Sequence, residues 1–147
     1  MSLRRLRLGE TLGLLGAAAL LVTLFFDWFG AGSGWSHLGW LMDLSLVVAM
    51  IGAGWIAWVT VRGAAPVWAL GACVVTGVVG AIVFLVLLVR VITLADDDGM
   101  SAGVAAYLGL VFMALIPVGA WMAMRDERLT APESAFTPPP ARPVPDG

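Results

Sequence analysis

The residues that could support chemistry are few, and their spacing brings no set of them together. The chain has a single histidine, His37, and a single cysteine, Cys73. A metal site needs several nitrogen, sulfur or oxygen ligands, and nucleophilic catalysis needs a nucleophile, a base and a group that orients the base. No motif of the sequence supplies either set. We therefore expect a protein that is not an enzyme, with no catalytic residue, no cofactor and no metal.

Two charged residues near the ends of apolar runs predict a structural ion pair. Asp43 comes just before one apolar run, and Arg90 comes near the end of the next one. Only a few residues connect these runs, so they must form an antiparallel hairpin, which brings Asp43 near Arg90. Asp27 and the acidic run at 96–98 are further candidates for this cluster. At a membrane boundary the expected role is to clamp the helices, although charges within a membrane are by default candidates for function.

A second ionic contact is predicted at the opposite end of these runs. Glu10 lies one turn into the first apolar run, where Arg7, Arg62 or Arg125 can reach it. Such a contact would orient the helices. The apolar runs hold no lysine, histidine or carboxylate at mid-depth, which argues against a transporter that relays protons.

Four apolar runs approach or exceed the length that crosses a bilayer. Of the 147 residues, 61% are hydrophobic and 12% are charged, about half the charged fraction of a soluble domain. About 20 helical residues cross the hydrocarbon core, and a helix satisfies its own backbone hydrogen bonds in lipid. The sequence therefore predicts an all-α membrane protein, an up-and-down bundle of four transmembrane helices, with spans at about 8–26, 44–61, 67–94 and 102–124.

The arginines predict the orientation of this bundle. With four spans, the basic segment 1–7, Arg62 and Arg125 fall on one side, whereas the loops on the other side contain aspartates and no arginine. The positive-inside rule places both termini in the cytoplasm of a multi-pass plasma-membrane protein. The transmembrane domain is expected at 8–128. The proline-rich segment 129–147 is expected to be a disordered cytoplasmic tail.

The segment 27–42 interrupts the apolar sequence with glycines and aromatic residues. Glycine permits tight turns over the bilayer surface, and tryptophan favours the membrane–water interface. The expected role of the segment is an interfacial anchor; the alternatives are a lid over a ligand and an epitope for a partner. The predicted anchors are Trp28, Trp35, Trp40 and Tyr107 on the outer side, and Trp68 and Trp121 on the inner side.

Small residues recur at a spacing of four in three of the spans, which places them on one helix face. Such faces let helix backbones approach closely in lipid. They indicate either packing within one bundle or a seam between copies of the chain. The residues are Gly9 and Gly13 in the first span, Ala72, Thr76 and Gly80 in the third, and Ala105 and Gly109 in the fourth.

Four stretches of the chain carry a family resemblance. They are FFDWF at the end of the first span, GWLMD at the start of the second, LLVRVI at the end of the third, and AYLGLVFMALIPVGAWMAMRDE in the last. With these stretches the chain resembles a group of small four-span membrane proteins, of unknown function, from high-GC Gram-positive bacteria. The resemblance covers about residues 8–128. It implies the four-span fold and no particular activity.

Three hypotheses for function follow. The first is a structural or accessory membrane protein that associates with itself or with other membrane proteins, supported by the small-residue faces. The second is a subunit of an oligomeric pore or small-solute transporter, which would need a polar lumen. The third is an intramembrane enzyme, for which no catalytic set is visible. The lipid bilayer is the expected partner in each case, and no nucleic-acid partner is expected.

Overall fold

The structure is a computed structural model that describes residues 7–30, 32–62, 66–97 and 102–125. The expectations for the basic N-terminus, for the side chains of the acidic run at 96–98 and for the tail at 129–147 lie outside this description. Helices account for most of the described residues. The elements in chain order are α1 (Leu8–Thr23), β1 (Asp27–Phe29), β2 (Gly32–Ser33), α2 (Gly34–His37), α3 (Trp40–Arg62), α4 (Pro66–Asp97) and α5 (Val104–Met124).

The fold is a helical bundle in which three helices are long and apolar enough to cross a membrane. They are α3, the segment Trp68–Leu94 of α4, and α5. Helix α1 is apolar but has only 16 residues, a length of about 24 Å, compared with about 30 Å for the hydrocarbon core. The all-α class is therefore confirmed, and a complete crossing by α1 stays a prediction.

Three helix boundaries differ from the predicted spans by three or four residues, among them the end of α4, which lies at Asp97 rather than at 94. Helix α1 ends at Thr23, before the predicted end at 26, because the residues that follow it form a turn. Helix α3 begins at Trp40, earlier than the predicted start at 44. The carbonyl oxygen of Gly39 accepts 3.0 Å hydrogen bonds from the N–H groups of Met42 and Asp43, so the first turn forms there. Apolarity marks where lipid contact begins, whereas the helix begins where its hydrogen bonds can begin.

The four long helices form an antiparallel ring in the order α1, α3, α4, α5. Gly9, near the start of α1, packs against Ala123, near the end of α5. On the other side of α1, Glu10 accepts a hydrogen bond from Thr60, near the end of α3. Helix α4 is antiparallel to both of its neighbours as well. The contacts therefore give the up-and-down arrangement that the sequence predicts.

The bundle has two distinct ends. The start of α1 and the C-terminal ends of α3 and α5 lie together with Arg7, Arg62 and Arg125, and we call this the basic end. The opposite end carries residues 27–30 and 32–39, which connect α1 to α3. We call these residues the cap, and this end the cap end. The three arginines thus lie on one side of the fold, as expected.

The closest helix contact in the described residues is the seam between α1 and α5. A Cβ atom added to Gly119 would lie 2.5 Å from the backbone nitrogen of Gly13 and 2.6 Å from the carbonyl oxygen of Gly9. A Cβ atom on Gly9 would lie 2.5 Å from the backbone nitrogen of Ala123. Only residues without a side chain permit such an approach, which increases van der Waals contact between helices in lipid.

The other small residues also pack within this chain. A Cβ atom on Gly52 of α3 would lie 2.8 Å from Oγ1 of Thr76 on α4. A Cβ atom on Gly80 would lie 3.3 Å from the Cδ atom of Pro117 on α5. Gly52 and Gly80 therefore make contacts inside one bundle, and a seam between copies stays a prediction.

Candidate functional site

The cap is a folded unit that contains two short strands. Strands β1 and β2 pair antiparallel, and Gly30 between them has a φ of 57°. The one-turn helix α2 follows, and Gly39 with a φ of 86° leads into α3. Positive φ angles are accessible to glycine at little steric cost, so the predicted tight turns are confirmed at these two positions. The strand pair was not expected, because segments of three and two residues are too short to show an alternating pattern.

Trp28 fixes the cap to the bundle. Its side chain is fully buried, and its indole Nε1 donates a 2.7 Å hydrogen bond to the carbonyl oxygen of Thr23. That oxygen is available because α1 ends at Thr23. The ring fills space left by two glycines: a Cβ atom on Gly109 would overlap its Cζ2 atom, and one on Gly34 would lie 3.1 Å from its Cε2 atom. The indole therefore fills the interior of the helix ring at its cap end.

Backbone contacts also hold the cap against the start of α5. Phe29 is buried and forms an antiparallel bridge with Ala102. The N–H of Gly103 donates a 2.7 Å hydrogen bond to the carbonyl oxygen of Trp28. A Cβ atom on Gly103 would lie 2.7 Å from the carbonyl oxygen of Asp27, so a side chain there would separate the two segments. The cap is thus attached to both α1 and α5.

The burial of Trp28 corrects the prediction that it is an interfacial anchor. An anchor must reach the headgroups, whereas this indole is sealed inside the protein. Trp35 is half-buried: its ring centroid lies 6.0 Å from that of Phe25, and its Nε1 is buried without a hydrogen-bond partner in the described residues. The remaining predicted anchors are exposed on the bundle surface, and for them the anchor role stays a prediction: Trp40, Trp68, Trp121 and Tyr107.

His37 packs inside the cap. Its Nδ1 lies 2.9 Å from Oγ of Ser36, and its ring centroid lies 6.0 Å from that of Phe29. The imidazole occupies the space beside Gly32, where a side chain would overlap it. Across the described ranges, no group of three or more His, Cys, Asp or Glu residues is placed to hold a metal ion. The structure thus gives His37 a packing role.

The ion pair predicted between Asp43 and Arg90 does not form in the structure. Asp43 is half-buried, and its Oδ1 is buried without a hydrogen-bond partner. Arg90 is exposed, and within the described residues no ion pair or hydrogen bond engages its guanidinium. The hairpin argument fixes the depth of each residue but not the rotation of each helix about its axis, and that rotation decides whether side chains meet. Asp27, the further candidate, is exposed on β1.

Glu10 lies at the basic end, as the sequence predicts, and it makes hydrogen bonds there. It is buried, and its Oε2 accepts a 2.8 Å hydrogen bond from the backbone N–H of Arg7. The hydroxyl of Thr60 donates to its Oε1 at 3.3 Å. The guanidinium of Arg62 instead lies 4.1 Å from the centroid of the Trp58 ring. Glu10 therefore joins the start of α1 to α3 through these hydrogen bonds.

Arg125 also stacks on an aromatic ring at the basic end. Its guanidinium lies 5.0 Å from the centroid of the Trp121 ring, one turn back along α5. Both this contact and that of Arg62 with Trp58 are cation–π contacts between neighbours on one helix, of the kind that contribute about 0.5–1 kcal/mol at exposed sites. They hold the two cations beside exposed aromatic rings at one end of the bundle.

Two separate hollows lie one after the other between α3 and α4 on the outer face of the bundle, and we call the two together the furrow. It contains a hollow of about 370 Å³ next to the cap and a larger one of about 620 Å³ farther along the helices. The α3 wall has spacings of four, three, four and three residues, which keep its members on one helix face. The members with this spacing are Leu41, Ser45, Val48, Gly52 and Trp55, beside which other α3 residues also line the hollows, and the facing wall on α4 includes Arg90, Val86, Val79, Thr76, Ala72 and Trp68.

The furrow is apolar over most of its length. Its hydroxyl groups are few: Ser45 donates to the carbonyl oxygen of Leu41 at 2.8 Å, and Thr76 is buried against Gly52. Among the described residues that line the furrow, the charged one is Arg90, which borders the hollow at the cap end. The sequence indicates part of this furrow, because the α3 residues follow a helical period. The α4 residues that face them could not be predicted, because they depend on how α4 is rotated about its axis.

Comparisons of the chain with protein-family models, with curated proteins and with solved structures gave no match. The resemblance to small four-span membrane proteins therefore stays a prediction. The site is accordingly defined by its geometry: a cap fixed by Trp28, a furrow bordered by Arg90, and a basic end with stacked arginines.

Proposed function

We propose that this protein is a non-enzymatic accessory protein of the plasma membrane, and that its cap is the surface that contacts another membrane protein. The observation behind this proposal is the attachment of the cap to the bundle through the buried ring of Trp28. A segment that served only as an anchor would need exposed aromatic rings and no fixed shape. A fixed shape lowers the ordering cost of binding, which favours recognition of a partner.

The cap presents both polar and apolar groups. Asp27 and Ser36 are exposed on it, and Phe25 and Phe26 are exposed on the turn that leads into it. Aromatic residues are enriched at the centres of protein interfaces, and a polar rim is typical around them. This combination next to the membrane surface supports an epitope for a partner.

The proposed orientation places the cap outside the cell. Arg7, Arg62 and Arg125 lie together at the basic end, and arginine is concentrated on the cytoplasmic side of membrane proteins. Both ends of the chain would then be cytoplasmic. The partner would be a protein whose exposed part rises beside the outer face of the bilayer.

The partner is proposed to be a different membrane protein rather than a second copy. The small residues of α1, which could form a seam between copies, pack against α5 of the same chain, as at Gly9 and Gly119. This contact within the chain uses the closest-packed of the small-residue faces, which favours a partner other than a second copy.

The alternative of a pore has less support. Large apolar side chains fill the interior of the ring, and two hydroxyl groups of the spans donate within their own helices: Thr23 to Leu20 and Ser45 to Leu41, each at 2.8 Å. A polar lumen needs polar groups that face a continuous path. In the described residues, the ring interior is closed by Leu20, Leu46, Leu87, Met113 and Ile116.

Site-specific photo-crosslinking tests this proposal. A benzophenone amino acid is placed at Ser36 on the cap, at Phe26 beside it, and, as a control, at Ile82 on the lipid-facing surface of α4; Ile82 is 56% exposed and Phe26 59%. The expected result is a discrete adduct with another membrane protein from Ser36 and from Phe26 and not from the control. A discrete adduct from Ile82 alone, or an adduct at twice the mass of the chain, would contradict the proposal.

A further inference from the structure

We propose that the furrow between α3 and α4 holds one phospholipid of the leaflet on the cap side, with its phosphate on Arg90 and an acyl chain along the furrow. This inference is independent of the role proposed for the cap. Two observations support it. An exposed guanidinium lies at the cap end of the furrow, and the apolar surface of the furrow begins directly below that charge.

Arg90 has the position and the chemistry that a phosphate requires. It borders the 370 Å³ hollow next to the cap and also a second hollow of about 400 Å³ on the other side of its side chain. Within the described residues, no ion pair or hydrogen bond engages its guanidinium, and it is exposed. Guanidinium groups bind phosphate through paired, charge-assisted hydrogen bonds. Basic pockets between transmembrane helices are known as headgroup sites in general.

Polar side chains near Arg90 fit the headgroup region. Ser45 lines the same hollow from α3, and Thr93 lines the second hollow one turn beyond Arg90. Trp40 lines the first hollow as well, and it is largely exposed, as an indole at headgroup depth would be. Asp43 is not part of this lining, and its Oδ1 is buried elsewhere. Among the described side chains that line this end of the furrow, the charged one is therefore Arg90.

The length of the furrow fits a single leaflet. From Arg90 to Val79 the helix rises about 16 Å, at about 1.5 Å per residue. Half of a hydrocarbon core of about 30 Å is about 15 Å. Val86 lines the upper hollow and Val79 lines the lower one, so an acyl chain that starts at Arg90 runs past Val86 and ends near Val79.

Charge complementarity favours a phospholipid over a helix of another protein or a second copy of this chain. A phospholipid presents an anionic group at the membrane surface and an apolar chain directly below it, which is the order found in the furrow. The exposed acidic side chain among the described residues, Asp27, lies on β1 rather than on a helix surface, so the described helix surfaces of a second copy offer no exposed carboxylate to pair with Arg90.

Native mass spectrometry of the full chain in neutral detergent micelles tests the proposal. The probes are dioleoyl phosphatidylglycerol and dioleoyl glycerol, which has the same chains and no phosphate. We expect one tightly bound phosphatidylglycerol and at least tenfold weaker binding of dioleoyl glycerol. Arg90→Gln is expected to weaken the first phosphatidylglycerol about tenfold or more, because a hydrogen bond to a charged group is lost. Arg125→Gln, at the basic end, is the matched control and should change it less than twofold.

A second pair of variants tests the acyl part of the site. Val86 lines the furrow and Val78 is not among the residues that line it, and the two have similar exposure, 53% and 56%. Val86→Trp should weaken phosphatidylglycerol at least fivefold, whereas Val78→Trp should leave it within twofold. Circular dichroism of each variant checks that the helices are intact.

Three results would overturn the proposal. The first is equal binding of the two probes, and the second is an equal loss for Arg90→Gln and Arg125→Gln. The third is a furrow filled by a second copy, seen as a dimer in the absence of lipid that Val86→Trp dissociates and Val78→Trp does not. These outcomes say nothing against the cap proposal, because none of them involves the cap crosslinks.

Discussion

The contact between Trp28 and Gly109 gives the sharpest test of how the cap is attached. A Cβ atom on Gly109 would lie 2.5 Å from Cη2 of Trp28 and would overlap the neighbouring Cζ2 atom. Real carbon contacts do not approach so closely, so Gly109→Ala forces the ring or helix α5 to move. The ring has little freedom, because Leu24 is buried and Gly34 is packed close beside the ring.

The magnitude follows from the costs of overpacking and of lost contacts. Adding a carbon to a well-packed interior typically costs about 1–3 kcal/mol, and we expect this range for Gly109→Ala. Trp28→Phe removes the hydrogen bond to Thr23, worth about 0.5–1.5 kcal/mol, and also part of the buried ring. The smaller phenyl ring leaves room for the new methyl group. The double variant should therefore be more stable than the sum of the single effects, by about 0.5–3 kcal/mol.

The assay is reversible unfolding in mixed detergent micelles, followed by far-ultraviolet circular dichroism. Gly54→Ala is the control, because no atom lies within 4 Å of a Cβ atom there, and it should be additive with Trp28→Phe. The reasoning fails if Gly109→Ala has the same stability as the wild type. It also fails if the Trp28 and Gly109 effects add within about 0.5 kcal/mol, since residues in contact should couple.

Three further predictions concern the helices. Gly119→Leu should destabilise the bundle by about 2 kcal/mol or more, since the side chain would separate α1 from α5, whereas Gly54→Leu should be close to neutral in the same unfolding assay. Asp43→Asn and Arg90→Gln should have additive effects on stability, because the two side chains are not paired. A coupling free energy above about 0.5 kcal/mol would instead indicate that the ion pair forms. Thr60→Val should lower stability by about 1 kcal/mol through the lost hydrogen bond to the buried carboxylate, and Thr60→Ser should restore most of it.

Local sequence predicts the helices and their antiparallel order well. Long apolar runs give α3, α4 and α5, and short connections fix the direction of each neighbour. The small residues at Gly9 and Gly13 correctly indicate a close helix contact, and the structure identifies Gly119 of α5 as the other side of it. The partner could not be predicted, because a spacing of four shows that a face exists but not which helix covers it.

The role of Trp28 shows where local reasoning stops. A tryptophan at the end of an apolar run favours the membrane interface, and this rule holds unless the chain provides an interior space for the indole. That space is provided by Gly109, which is distant in the sequence. The same limit applies to Asp43 and Arg90, whose depths follow from the hairpin while their directions depend on helix rotation. Residues that act through tertiary contacts are therefore the ones that the sequence alone misplaces.

Thiol labelling of the cap tests the central claim, that the cap is a fixed unit on the outer face of the membrane. In a Cys73→Ala background, Ser36→Cys and Leu38→Cys are compared in intact cells with a maleimide that does not cross membranes. Ser36 is exposed and Leu38 is 2% exposed, although they are only two positions apart. The account predicts rapid labelling at 36 and protection at 38. Equal labelling at both positions would show an unattached loop, and labelling at 36 only after permeabilisation would show the reverse orientation.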